Sequence, residues 1–221
     1  MTAIRVFENR PENKITCTKN ITLILAHGAG AAADSKFMES MAISLALGGV
    51  ATVRFEFPYM EKRRADGRKR PPDRQPVLLA RYRQIIQQLG AQERGELWIG
   101  GKSMGGRIAS ILAADPELSG TVDGCVCFGY PFHPPGRPDR WRVEHFDRFH
   151  CPVLIVQGTR DPFGKKGEVQ ACDSVSASTC RINWLEGGNH DFQPLASQRE
   201  TPEQMIDSAA RAAAAFILEN G

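Results

Sequence analysis

Residues 96–107 run ELWIGGKSMGGR. Glu96–Gly100 is a short apolar run of the kind that forms a buried strand. From Met104 to Ala114 apolar residues recur at helical spacing until Asp115-Pro116 ends them. Between the two lies Gly101-Lys102-Ser103-Met104-Gly105, a G-x-S-x-G pattern at a strand-to-helix turn. A serine on so sharp a turn adopts a strained backbone, and side chains at the two flanking glycines would collide with it. In return its hydroxyl stands clear of the sheet at a helix N-terminus, where developing negative charge is stabilised. Ser103 is therefore a candidate nucleophile. A phosphate-binding G-x-x-x-x-G-K-[ST] loop is the competing reading of Gly101-Lys102-Ser103. It requires glycine at 96, where the chain has Glu96, and the intervening Leu97-Trp98-Ile99 reads as strand.

Further apolar runs lie on both sides: Ile21–Ala26, Val50–Phe57, Val122–Phe128, Val153–Gln157 and Arg181–Leu185. They are near-continuously apolar and rich in β-branched residues, as strands buried on both faces are. Helical segments separate them. One starts near Asp34-Ser35 and stops at Gly48-Gly49, and another covers Pro76–Leu89. The last opens on Thr201-Pro202-Glu203-Gln204, an N-cap, a first-turn proline and a capping-box glutamine. Such alternation predicts an α/β domain over residues 1–221: a mostly parallel sheet of about seven strands with helices on both faces. Two segments interrupt it. Glu61–Arg74 is basic and turn-rich, with seven Lys/Arg against three Asp/Glu, and Pro131–His150 is proline-rich and polar. Both follow strands, at the carboxyl edge where ligands bind in parallel sheets.

A serine nucleophile needs a base and an acid to orient it. Of five histidines only His190 follows the last strand, in the glycine-rich loop Glu186–Asp191. Asp161 is the first acid after Val153–Gln157. Asp191 competes, but adjacent side chains on a loop usually diverge, so Asp161 is preferred. The amides of Met104 and of Ala29, in His27-Gly28-Ala29-Gly30, are the expected oxyanion donors. His27 is expected to brace that loop. Gly28, Lys102 and His133 are expected to contact substrate, with Lys102 at the pocket rim.

These residues resemble the α/β-hydrolase superfamily, over nearly the whole chain from Ile21 onward. A closer resemblance is to a dienelactone-hydrolase-like bacterial branch, similar in turn to the hydrolase-like domain of a subunit of the NSL histone acetyltransferase complex and its testis-expressed relative. It is carried by His27–Gly30, Arg54–Tyr59 (RFEFPY), Gly101–Arg107, Tyr130–Gly136 (YPFHPPG) and Gln157–Gly164 (QGTRDPFG). Dienelactone hydrolases proper use cysteine where this chain has Ser103. The resemblance implies the fold and the triad and says little about substrate; the triad, with no room in the chain for a separate lid domain, leads to the expectation of a serine hydrolase that cleaves a small carboxylic ester through an acyl-enzyme, with thioester or amide as alternatives. The NSL side of the resemblance implies an alternative, a protein-interaction module with little turnover.

Composition narrows the remaining classes. The 28 Lys+Arg and 25 Asp+Glu leave +3, too little to argue for nucleic acid, and no aromatic residues interleave the basic segment for base stacking. The functional reading of that segment is a positive wall recruiting an anionic ester. Met1–Lys14 lacks the pattern of a signal peptide, and no run of about 20 apolar residues spans a membrane. The six cysteines (17, 125, 127, 151, 172 and 180) form no CxxC pair, which fits a reducing, cytoplasmic compartment, with Cys125 and Cys127 buried on one face of a strand. No metal-ligand spacing or dinucleotide motif is present, so neither metal nor cofactor is expected.

Overall fold

The computed structural model describes residues 4–12, 20–90 and 95–221; Cys17 and both ends of the Met1–Lys14 stretch lie outside them. Seven strands form one sheet: β1 (Val6–Asn9), β2 (Ile21–Ala26), β3 (Ala51–Phe55), β4 (Glu96–Lys102), β5 (Gly124–Phe128), β6 (Val153–Gly158) and β7 (Arg181–Leu185). Their order is β1-β3-β2-β4-β5-β6-β7, and every pairing is parallel except that of β1 with β3. The helices are α1 (Lys36–Leu47), α2 (Pro58–Asp66), α3 (Gln75–Gly90), α4 (Met104–Ala113), the short α5 (Lys166–Gln170) and α6 (Asp173–Ser176), and α7 (Pro202–Asn220).

Strand periodicity divides the core in two. Leu23, Leu25, Trp98, Val126 and Val156 face one side, where α1 and α7 cover them. Ile24, Ile99, Cys125, Cys127 and Ile155 face the other, beneath α3 and α4. Each fully buried aliphatic side chain contributes ~1.5–3 kcal/mol relative to exposure, so the pattern that specifies register also stabilises the sheet. The Thr201 capping box forms as expected: Gln204 N donates to Thr201 Oγ1 at 3.2 Å and Thr201 N to Gln204 Oε1 at 2.8 Å. No helix among the described residues is long and apolar enough to cross a membrane.

One sequence expectation needs correction. The front of Glu61–Arg74 is helical, not loop. Phe57 takes the extended N-cap conformation, Pro58 sits in the first turn, and Gly67 ends the helix at φ 70°. Among the described residues, two of the segment's seven cations pair with carboxylates. Arg64 donates to Glu56 at 2.6 and 3.0 Å and to Asp34 at 2.7 Å, Arg70 pairs with Asp66, and Glu61 accepts both arms of Arg81. Pro131–His150 holds only a single 3₁₀ turn, Phe146–Arg148. Its aromatic residues point inward: Phe132 and Phe146 are fully buried, with Tyr130 5.4 Å from Phe146 between ring centres. The segment is therefore glued to the body beside α4 and forms only a minimal cap.

Candidate active site

Ser103 is the last residue before α4, and its backbone stands at φ 52°, ψ −114°. A non-glycine residue there costs on the order of 1–3 kcal/mol and persists only when its surroundings enforce it. The enforcement is visible. Ser103 N donates to Phe128 O at 2.9 Å, and Arg107 N donates to Ser103 O at 3.0 Å. The flanking glycines are obligatory. A Cβ on Gly101 would lie 2.6 Å from Ala26 O, and one on Gly105 would lie 2.5 Å from Ala26 O and 2.6 Å from His27 O. The steric reason inferred for G-x-S-x-G is thus the approach of β2 to the turn.

Three side chains from three strand ends meet. Ser103 Oγ donates to His190 Nε2 at 2.9 Å, and His190 Nδ1 donates to Asp161 Oδ2 at 2.8 Å. The carboxylate fixes the tautomer, leaving Nε2 as acceptor toward the serine. Asp161 is fully buried, and its other oxygen accepts from Phe163 N at 2.8 Å. The Phe163 ring lies against the imidazole, 4.3 Å between centres. Asp191, the sequence competitor, is exposed and sits 3.4 Å from Lys102 Nζ.

The loop after β2 lies alongside. Gly28 is so near the turn that a Cβ there would be 3.7 Å from Ser103 Cβ. His27, fully buried, donates from Nδ1 to Gly28 O at 2.7 Å and accepts at Nε2 from Phe57 N at 3.2 Å. Both ring nitrogens are engaged in the neutral form, and burial pulls the pKa down. His27 is accordingly a brace. Tyr59, which sequence reasoning did not single out, adds a second one: its hydroxyl lies 3.2 Å from Gly28 O and 3.0 Å from Ala29 O. With both carbonyls held from below, the loop's amides stay oriented. Met104 opens α4, and the first amides of a helix lack intrahelical acceptors.

Lys102 and His133 do not occupy the places expected of them. Lys102 is 6% exposed. Its Nζ donates to His190 O at 2.7 Å and lies 5.3 and 5.9 Å from the ring centres of Phe37 and Phe192. It points under the histidine loop, not to the rim, because β4 still runs through position 102 and alternation sends that side chain beneath the sheet edge. His133 is buried too, packed 5.4 Å from Trp141 and donating from Nδ1 to Pro134 O at 2.9 Å. Its Nε2 lies 3.4 Å from Glu168 Oε2.

Gln157 also went unnoticed, although a lone amide closing the run VLIVQ was a signal. It is fully buried. Its Nε2 donates to Asp161 Oδ2 at 3.0 Å and its Oε1 accepts from Tyr130 N at 2.7 Å. It thereby ties the acid to the loop after β5. Among the described residues no cluster of three or more His, Cys, Asp or Glu side chains could hold a metal ion.

A strained serine after the fourth strand of a mostly parallel sheet, with histidine and aspartate from later strand ends, defines a class. The chain belongs to the alpha/beta hydrolase domain family, whose model matches residues 19–218, and it is by family an α/β hydrolase. Among solved structures it is similar to dienelactone hydrolase from Anabaena variabilis (19% identity, 97% of this chain and 91% of that one, TM-score 0.73). It is also similar to Est1E from Butyrivibrio proteoclasticus (15%, 96% and 94%, 0.70). A third is XC6422 from Xanthomonas campestris, described as an α/β serine hydrolase without lid (20%, 94% and 88%, 0.66). At these identities the likeness is one of fold.

Proposed function

We propose that this chain is a cytoplasmic serine esterase of one domain that cleaves small carboxylic esters, with thioesters or amides as related substrates. The observation that carries the reading is the continuous relay from Ser103 Oγ through His190 to Asp161, at 2.9 and 2.8 Å. His190 Nε2 takes the Ser103 proton as Oγ bonds to the acyl carbon, and the carbonyl electrons move onto oxygen. The Ala29 and Met104 amides receive that oxyanion, and Gly28 leaves room for it. As the bond to the alcohol oxygen breaks, the imidazolium returns its proton there. Water then adds to the acyl carbon, giving its proton to His190, and the acid leaves as Ser103 recovers its hydrogen. Asp161, fed by Gln157 and Phe163 N, holds the imidazole and stabilises its charge.

An interaction module would gain nothing from a serine held at φ 52° against an imidazole, a conformation that costs stability. The test is labelling with a fluorophosphonate followed by peptide mapping. Ser103 should be the one serine modified, and Ser103→Ala should lose both labelling and turnover of 4-nitrophenyl acetate while melting like the wild type. Labelling at another serine, or turnover that survives Ser103→Ala, refutes the assignment.

A further inference from the structure

Seven arginines among the described residues are withdrawn from full exposure. Five have partners: Arg54 and Arg63 donate to backbone carbonyls, and Arg70, Arg81 and Arg83 to carboxylates. Arg107 and Arg142 have none. Neither guanidinium donates a hydrogen bond within the described residues or makes an ion pair, and Arg107 Nε is buried without an acceptor. A buried donor left unmade costs ~1–3 kcal/mol, so such a group calls for an explanation.

The two are held on the same flank. Arg107 and Ser110 share one face of α4, three residues apart. Ser110 Oγ donates to Arg107 O at 2.9 Å and lies 2.8 Å from His145 Nε2. From the facing segment, Tyr130 OH donates to Arg142 O at 2.7 Å, and Arg142 N donates to Phe132 O at 2.8 Å. The Pro131–His150 segment therefore closes on α4 at the level of Arg107. Positive charge accumulates there: burial first, then Arg107, lowers the Arg142 pKa, and burial, then Arg107, holds His145 at about 4. Of the carboxylates nearby, Glu144 is exposed and attracts Arg142 without reaching ion-pair distance, and Asp147 acts on His145 from the surface. The nucleophile is close. Arg107 N donates to Ser103 O, one helical turn of ~5.4 Å away, and Gly129, just before Tyr130, abuts His190.

We propose that Arg107 and Arg142 form a subsite for an oxyanion, a carboxylate or phosphate carried by the substrate that Ser103 attacks. Guanidinium pairs suit either group because each presents a planar fork of donors. The proposal rests on Ser103 as nucleophile. It places the anion preference at a pair of partly buried arginines that have no acid of their own, and not at the largely solvated Glu61–Arg74 segment.

Binding and turnover test it separately. The wild type is melted with sodium succinate or sodium phosphate against sodium chloride of equal ionic strength. One of the two anions should raise the midpoint by several degrees, and the more effective anion identifies the group. The gain should vanish in Arg107→Met and in Arg142→Met. In kinetics, each variant should lose about 10-fold or more in kcat/KM on mono-4-nitrophenyl succinate or on its phosphate-bearing counterpart, and under about threefold on 4-nitrophenyl acetate. Should a Met variant fail to fold, Arg107→Lys and Arg142→Lys keep the charge but lose the fork, and anion binding should weaken at least about threefold. No midpoint gain with either anion, or a gain that survives both substitutions, overturns the subsite. A gain that depends on both arginines in a protein that turns over no ester leaves the subsite standing and refutes the esterase reading instead.

Discussion

Replacing Lys102 with methionine separates stability from catalysis. Methionine matches the length of the lysine stem and keeps the contacts with Phe37 and Phe192. What goes is the bond from Nζ to His190 O at 2.7 Å, worth ~1.5–3 kcal/mol for a charged donor, a cation–π attraction of ~0.5–2 kcal/mol, and the ion pair with exposed Asp191 at 3.4 Å, worth ~0–1 kcal/mol. Against these stands the cost of burying an ammonium at 6% exposure, several kcal/mol. The terms nearly cancel, so unfolding free energy at neutral pH should change by no more than ~1 kcal/mol. Catalysis has no such compensation, because the carbonyl tethered by Lys102 belongs to the proposed general base. A misplacement of about 1 Å can cost ~10²-fold in rate, so kcat should fall ~10- to 100-fold with little change in KM. Steady-state kinetics on 4-nitrophenyl acetate and urea titrations supply both numbers. The pH dependence adds a sign. Burial lowers the Lys102 pKa in the folded protein, so the unfolded chain binds that proton more tightly. The charge thus opposes folding below the folded pKa, and the handicap fades as pH rises toward ~10.4, where the unfolded lysine also loses its proton. The stability of Lys102→Met relative to wild type should therefore be greatest near neutrality and decline in alkali. A kcat within threefold of wild type, together with a stability loss above ~3 kcal/mol, would make Lys102 a structural post and refute this reasoning.

Three further outcomes follow from the geometry. Asp161→Asn should reduce kcat by roughly 10⁴, as loss of the orienting acid does elsewhere, whereas exposed Asp191→Asn should cost under ~10-fold; kinetics in the reverse order would transfer the role. Gly105→Ala forces a Cβ to 2.5 Å from Ala26 O and should destabilise by ~3 kcal/mol or more, whereas Gly30→Ala meets nothing within 4 Å and should stay within ~0.5 kcal/mol; equal denaturation midpoints would deny the crowding. Because the aromatic side chains of Pro131–His150 are spent on the body of the protein, a long acyl chain finds few apolar walls to gain ~0.8 kcal/mol per methylene. Activity should peak at acetyl to butyryl 4-nitrophenyl esters, and a rise through C8 to C12 would reveal an apolar tunnel.

Where strand, turn and chemistry coincided, the chain was readable. ELWIGGKSMGGR fixes β4, the turn and α4 because only glycines fit against β2, and chain order then singles out one histidine and one acid. The six apolar runs mark six strands. The seventh, β1, escaped because its four residues lie half-buried at the sheet edge, with no continuous apolar signal. Helix α2 was hidden by charge: its turn-like sequence says nothing of Glu56 and Asp34, which accept Arg64 from other elements. Lys102 was misplaced for the same reason. A lysine beside a nucleophile reads as solvated until Phe37, Phe192 and His190 O, brought in by distant segments, enclose it.

The order in which the site is assembled along the polypeptide has a consequence for synthesis. Ser103 leaves the ribosome 58 positions before Asp161 and 87 before His190. β6 must dock before the acid has a seat, and β7 with the loop after it before the imidazole arrives. α7, which covers α1, emerges after every other described element. A nascent chain therefore displays its strained turn well before His190 can reach it, and on the proposed mechanism hydrolysis begins only when β6, β7 and the loop after β7 have docked. Onset of activity in a synchronised cell-free translation would report completion of the fold, in the way that complementation reports assembly for a split enzyme.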